Sequence, residues 1–230
     1  MSNRPSGQVV VALDGPAGAG KSTAARMLAE RLDYVLVDTG ALYRGVALAA
    51  LDRVVSWDDG PALGALVDQL ALTFERDGEG RQRLFIDARD RSGEIRTPQI
   101  SDGASRVSRH PQVRAALLGL QRRLGEAGKV VLEGRDIGTV VFPDAEVKVF
   151  LTASDEARAK RRYDELTQAG HAVPFEQVLA ELRDRDQRDR DREISPLKAA
   201  PDAILLDTSG SSLEEVVAQL EALVRRSVVR

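Results

Sequence analysis

One short segment near the amino terminus constrains this chain more than any other. Gly15-Pro16-Ala17-Gly18-Ala19-Gly20-Lys21-Ser22 matches the pattern G-x-x-x-x-G-K-[ST] in full. Its context is the one that pattern needs. Residues 9–13 are a β-branched apolar run, expected to form a buried parallel strand, and residues 22–32 have helical spacing. Glycines let a backbone wrap around an anion. Successive N–H groups at the start of a helix then point inward, where the helix dipole favours negative charge. In such a loop Lys21 reaches the β- and γ-phosphates of a nucleotide, and the Ser22 hydroxyl ligates Mg²⁺. The segment therefore predicts a nucleoside triphosphate site at a strand–loop–helix junction. It does not say what becomes of the triphosphate.

The rest of the chain repeats the same alternation. Residues 34–37, 130–132, 147–151 and 203–207 read as strands, and residues 41–51, 62–70, 112–125, 175–192 and 211–225 as helices. Ser154 can cap another helix, with Asp155 and Glu156 in its first turn. Ser212 and Glu215 have capping-box spacing at the start of the last one. Between residues 71 and 88 the period changes: 71–76 and 83–88 are strand-like around the turn residues Asp77-Gly78-Glu79-Gly80. The expected fold is α/β, a doubly wound parallel sheet with flanking helices, interrupted by an inserted subdomain with a small antiparallel sheet.

Composition removes several functional classes. The chain has no cysteine, which excludes disulfides, zinc–thiolate sites and a thiol nucleophile, and fits a cytoplasmic setting. His110 and His171 are too few for a His-rich metal site. A net charge of −3 offers no global basic field to nucleic acid. No apolar run approaches the ~20 residues of a membrane span, and residues 1–7 read as a loose tail without a signal core. The basic residues are skewed, since 28 of the 33 are arginine. A biased genome accounts for that as well as phosphate clamping does, so position has to decide.

Two segments follow strands and so fall at the carboxyl edge of the sheet, where open α/β folds bind ligands. They are Asp38-Thr39-Gly40-Ala41-Leu42-Tyr43-Arg44 and Glu133-Gly134-Arg135-Asp136-Ile137-Gly138-Thr139. For either alone, an ordinary βα turn is the alternative reading. Together, beside a phosphate-binding loop, they point to a second, anionic substrate. Residues 183–192 alternate arginine with acidic or amide residues. This is a solvated helix laced with i,i+4 ion pairs, or a face on which Arg185, Arg188, Asp189 and Arg192 recur at i, i+3, i+4 and i+7. The sequence leaves both readings open. It contains no guanine-reading Asn-Lys-x-Asp stretch.

With these residues in view, the chain resembles the bacterial cytidylate kinases, members of the nucleoside monophosphate kinase family. The resemblance is carried by the run from Asp14 to Thr23, by Asp38 to Arg44, by Ser92-Gly93-Glu94-Ile95-Arg96-Thr97, by Glu133 to Thr139 with Val140-Val141-Phe142-Pro143-Asp144-Ala145, and by Arg185 to Arg192. These motifs run in order across nearly the whole chain. The resemblance implies transfer of the γ-phosphoryl group of ATP to CMP, and to dCMP, with Mg²⁺, by a monomer. It implies a core of residues 8–38, 115–153 and 171–230, a monophosphate-binding insert of residues 39–114 and a lid of residues 154–170.

The resemblance also implies roles. Gly15, Pro16, Ala17, Gly18, Ala19, Gly20, Lys21, Ser22 and Thr23 would hold ATP, with Ser22 on the metal. Arg158, Arg161 and Arg162 fall in the lid, where an arginine meets the ATP phosphates. Thr39, Tyr43, Arg44, Ser105, Arg114, Arg135, Asp136, Arg185, Arg188, Asp189 and Arg192 would line the acceptor site. Of these, Ser105, Arg114 and Asp136 would read the base. Arg44, Arg135, Arg185 and Arg192 would hold the α-phosphate, and Asp189 the ribose. The expected catalytic set is Lys21, Arg135, Arg185, Arg192 and Arg161. Glu133 and Thr39 stand where many relatives carry aspartate and serine, which keeps each functional group. Two other readings compete. A kinase for another small acceptor would leave the base-reading set unexplained, and a nucleotide-dependent switch would leave the acceptor-site arginines unexplained.

Overall fold

The computed structural model describes residues 8–79, 81–168 and 170–228. The expected tail of residues 1–7 and the turn residue Gly80 lie outside the described residues. The chain divides into two compact units, one of residues 1–37 with 125–230 and one of residues 38–124.

The first unit is built on a five-stranded sheet. Its strands are β1 (Val10–Asp14), β2 (Val35–Asp38), β6 (Val130–Glu133), β7 (Val147–Thr152) and β8 (Ile204–Asp207), in the order β2-β6-β1-β7-β8. β1 runs parallel to β6 and β7, and β8 parallel to β7. The central strand is buried on both faces, and Val10, Val11, Ala12 and Leu13 are all fully covered, as an unalternating apolar run requires. Helices α1 (Lys21–Leu32) and α8 (Leu213–Val228) cover one face, where Leu28, Val217 and Leu220 pack on Val11, Leu13, Val131 and Val149. The predicted capping box is present: Ser212 Oγ accepts from Glu215 N, and Glu215 accepts from Ser212 N at 2.8 Å. Helices α6 (Asp155–Gln168) and α7 (Phe175–Arg190) share a smaller core of Ala159, Leu166, Val178 and Leu182. Ser154 caps α6 as expected, accepting from Ala157 N at 3.2 Å.

The parallel register aligns the strand ends. Leu13 pairs with Glu133, Asp14 with Phe150 and Thr152 with Asp207. The loops that follow β1, β6, β7 and β8 therefore leave the sheet at one edge, the ligand edge of this architecture.

The second unit holds helices α2 (Thr39–Asp52), α3 (Gly60–Gln69), α4 (Pro98–Val107) and most of α5 (Pro111–Gly125). Strands β3 (Leu72–Arg76), β4 (Gln82–Ile86) and β5 (Arg89–Asp90) form an antiparallel sheet in sequence order. Leu42, Val46, Leu63, Leu84, Ile100, Val107 and Leu117 make its core. The strand-like pattern at residues 83–88 does not continue to its end. Instead β4 stops at Ile86, and Asp87 and Ala88, at φ 50° and 63°, form a two-residue turn into β5. Sequence hides this turn because alanine rarely takes a left-handed conformation. Helix α4 lies outside the helices expected from spacing, although Thr97 caps it by accepting from Ile100 N at 3.2 Å and Pro98 opens it.

Candidate active site

The loop after β1 has the form its sequence promised. Gly15 has φ 145°, and a Cβ there would lie 2.0 Å from the Leu151 carbonyl oxygen, so only glycine admits this approach to β7. Gly20 precedes α1 in a left-handed conformation at φ 84° and has no side chain to cap the helix, which leaves the N–H groups of the first turn for an anion. Lys21 is buried and donates to the Pro16 carbonyl at 2.6 Å. Burial and the positive charge of Arg135 lower its pKa. Glu133 opposes this, Arg185 adds to it and Asp14 opposes it, leaving the ammonium at about 7. Ser22 and Thr23 are exposed on the first turn, and Ser22 Oγ donates to Glu133 Oε2 at 2.8 Å. A hydroxyl and a carboxylate in contact are the hard oxygen donors that suit Mg²⁺.

The turn after β6 and the end of α7 bring a second set together. Asp189 is buried, and Arg135 Nε lies 3.1 Å from one of its oxygens while Arg192 Nη2 lies 2.8 Å from the other. Burial pushes the Asp189 carboxyl up, but the guanidiniums of Arg135, Arg192 and Arg185 outweigh it and hold the pKa below the ordinary range. Arg185, Arg188 and Asp189 share one face of α7, with both arginines half-buried. Arg192 does not belong to that face. The helix ends at Arg190, because Asp191 leaves helical geometry at φ −81° and ψ 0°. Arg192 then folds back from the following coil, its Nε donating to the Asp189 carbonyl at 3.3 Å. Asp136 is buried in the turn after β6.

The three α6 arginines have different surroundings. Arg158 is only 1% exposed and is consumed by protein acceptors. Its Nε donates to the Ala153 carbonyl at 3.2 Å and its Nη1 to the Ala17 carbonyl at 2.9 Å, and it pairs with Asp155 and Asp186 at 2.5 Å each. Arg162 turns to Glu165 at 3.1 Å on the exposed side. Arg161 faces the loop after β1: its Nη1 donates to Thr208 Oγ1 at 3.0 Å and to the Gly18 carbonyl at 3.5 Å.

In the second unit, Asp38 caps α2 by accepting from Ala41 N at 3.0 Å and pairs with Arg44 at 2.6 Å. Thr39 is buried in the first turn. The Arg114 guanidinium lies 5.4 Å from the Tyr43 ring centre, and its Nη1 donates to the Ser108 carbonyl at 3.2 Å. Ser105 is buried, and its Oγ has no hydrogen-bond partner among the described residues. A buried hydroxyl in that state suits an incoming ligand atom.

Two further residues of the site escape sequence reasoning. Thr208, just past β8, touches both Arg161 and the Ala19 carbonyl, the latter at 3.2 Å. Asp14, at the end of β1, accepts from the amides of Ile137 and Gly138. The available signal for Asp14 is an acid closing an otherwise apolar buried strand, a cost that needs a reason.

The sequence model of the cytidylate kinase family matches residues 11–226. A cytidylate kinase from Carboxydothermus hydrogenoformans is 48% identical over 216 residues, which cover 94% of this chain and 97% of that protein. One from Exiguobacterium sibiricum is 49% identical over 216 residues, covering 94% and 96%. Among solved structures, a shikimate kinase from Acinetobacter baumannii in complex with shikimate covers 98% of this chain and 97% of its own at a TM-score of 0.50 and 16% identity, a likeness of fold alone.

Proposed function

We propose how named residues share one reaction, from the premise that the chain belongs to the cytidylate kinase family. The protein is an enzyme that transfers the γ-phosphoryl group of ATP to CMP or dCMP, giving ADP and CDP or dCDP. What most supports our division of roles is the charge gathered around Lys21, whose ammonium is lowered first by burial and then by Arg135 and Arg185, with Asp189 and Arg192 beside Arg135. Such a cluster repels itself until polyanionic substrates enter it.

Both substrates are anions, and their mutual repulsion is the main barrier. The attacking acceptor oxygen is already ionised, so the site needs no strong general base. Alignment and charge neutralisation carry the catalysis. Residues 15–23 hold the donor phosphates, with Lys21 on the β- and γ-groups. Ser22, with Glu133 alongside, would hold Mg²⁺, which would supply positive charge against the phosphates. Of the α6 arginines, Arg161 takes the donor phosphates, because Arg158 has its hydrogen bonds committed elsewhere and Arg162 faces away. Residues 154–170 act as the lid on that account. Arg44, Arg135, Arg185 and Arg192 hold the acceptor phosphate and Asp189 its ribose, with Arg188 on the same helix face.

The unit of residues 38–124 is the monophosphate-binding insert, where Tyr43 and Thr39 line the site and Ser105 and Arg114 donate to cytosine N3 and O2. Asp136 accepts from the exocyclic amine. Uracil would set an acceptor against that carboxylate, at a cost of a few kcal/mol. The test is an ADP-release assay with ATP, Mg²⁺ and a panel of monophosphates. CMP and dCMP should turn over far ahead of UMP, AMP, GMP and dTMP, and Asp136→Ala should erode that order. Another acceptor in the lead would refute the base-reading set while leaving the donor chemistry standing.

A further inference from the structure

Asp14 is the last residue of β1 and directly precedes Gly15, yet its side chain turns to a different loop. Both carboxylate oxygens are engaged by one turn. Oδ1 accepts from Ile137 N and Oδ2 from Gly138 N, each at 2.8 Å. Ile137 opens a π-helical turn, Ile137–Val141, whose first N–H groups have no partner within the turn. A residue 123 positions earlier in the chain therefore caps it. Two bonds to successive amides fix the tilt as well as the position of two peptide planes. Those planes join Asp136 to Ile137 and Ile137 to Gly138, so Asp136 opens the first of them and Arg135 directly precedes it.

Lys148 lies against the same turn. A Cβ on Gly138 would lie 3.4 Å from Asp14 Oδ2 and 3.3 Å from the Lys148 stem. Lys148 is anchored to Asp202 at 2.8 Å and donates to the Pro143 carbonyl. The carboxylate and the aliphatic stem thus both crowd the position that a side chain on residue 138 would take.

Stability alone does not favour a carboxylate here. Burial raises the Asp14 pKa to about 6, against the pull of the Gly138 and Ile137 amides, with nearby Asp136 raising it further and Lys21 lowering it. At neutral pH the fold carries a charge it disfavours, which is the mark of a group kept for what it positions.

We propose that Asp14 is a positioning residue of the acceptor site: by capping the turn after β6 it sets Arg135 and Asp136, and through them the binding and choice of the acceptor nucleotide. The inference rests on the proposed function. Asp14→Asn keeps the shape but puts an NH₂ where one acceptor oxygen was, so one amide of the turn faces a donor. The KM for CMP should rise about tenfold, the effect of losing one well-formed hydrogen bond, while the KM for ATP moves far less. The preference for CMP over UMP should narrow, and the Ile137 and Gly138 amides should exchange faster with solvent. An unchanged KM for CMP with unchanged base preference would overturn the inference. So would an equal loss for both nucleotides, which is what general damage to the fold would give. If D14N does not fold, amide exchange of the wild-type chain decides, since unprotected Ile137 and Gly138 amides would remove the cap itself. Wild-type turnover of CMP in the same assay is the separate check on the proposed function. Its absence sinks that reading, whereas an active wild type with an indifferent D14N sinks this inference alone.

Discussion

Arg158 offers the sharpest test of which α6 arginine is structural. Its guanidinium is almost wholly buried, and Asp186, its ion-pair partner at 2.5 Å, is 2% exposed. Neither Asp186 oxygen makes a hydrogen bond to another group among the described residues. Truncating Arg158 to Met would therefore leave Asp186 as an uncompensated buried carboxylate and take one donor from each of the Ala17 and Ala153 carbonyls. Breaking a buried pair from one side costs about 3–5 kcal/mol, whereas replacing both partners by apolar residues of similar size is near neutral. Arg158→Met alone should lose about that much stability. The double variant Arg158→Met/Asp186→Leu should recover most of it, short of the two carbonyls. Urea unfolding should be followed by far-ultraviolet circular dichroism, because the single tryptophan, Trp57, lies in the other compact unit and would report the wrong transition. A single variant within about 1 kcal/mol of wild type, or a double variant as unstable as the single, would refute the argument.

Arg161→Ala should behave in the opposite way, raising the KM for ATP severalfold with little change in the unfolding midpoint, since this side chain is partly exposed at the phosphate loop. Steady-state kinetics at varied ATP separates the two arginines. Ser22→Ala should lower kcat and shift the Mg²⁺ titration to higher concentration, and a variant with an unaltered Mg²⁺ requirement would remove Ser22 from the metal site. Ser105→Ala removes a buried hydroxyl that has no partner among the described residues, so the nucleotide-free protein should be as stable or more so, while CMP binding weakens by about 1 kcal/mol in calorimetry. For Asp14, a folded pKa of about 6 against an ordinary 3.8 means that the folded state binds the extra proton between these values. Its contribution to stability is present at acid pH and is lost as pH rises through that window, by about 3 kcal/mol. The stability of D14N relative to wild type should improve by about 2 kcal/mol, most of that loss, between pH 4 and pH 6.5, and a flat difference would deny the buried charge.

What the sequence disclosed and what it hid divide along chain distance. The phosphate loop, the capping box at Ser212 and Glu215 and the cap at Ser154 are local, each formed by residues a few positions apart, so pattern alone reached them. The α6 arginines did not sort themselves, because Arg158 is distinguished from Arg161 by contacts with Ala17 and Thr208, 141 and 47 residues away. Periodicity also overreached. It placed Arg192 on a helix face, whereas α7 stops at Arg190 and Arg192 meets Asp189 by folding back from the coil. Asp14 falls between these cases. Val-Val-Ala-Leu-Asp and Val-Val-Leu-Glu are two buried strands that each close on an acid, and the sheet sets them side by side with Leu13 opposite Glu133. A buried strand has no hydrophobic reason to end in a charge, so each acid marks a point where the sheet edge must grip something polar. For Glu133 that partner is the Ser22 hydroxyl, and for Asp14 it is the turn that carries Arg135 and Asp136. On the roles proposed above, one edge commits these two neighbouring strand ends to opposite tasks, one toward the donor and one toward the acceptor.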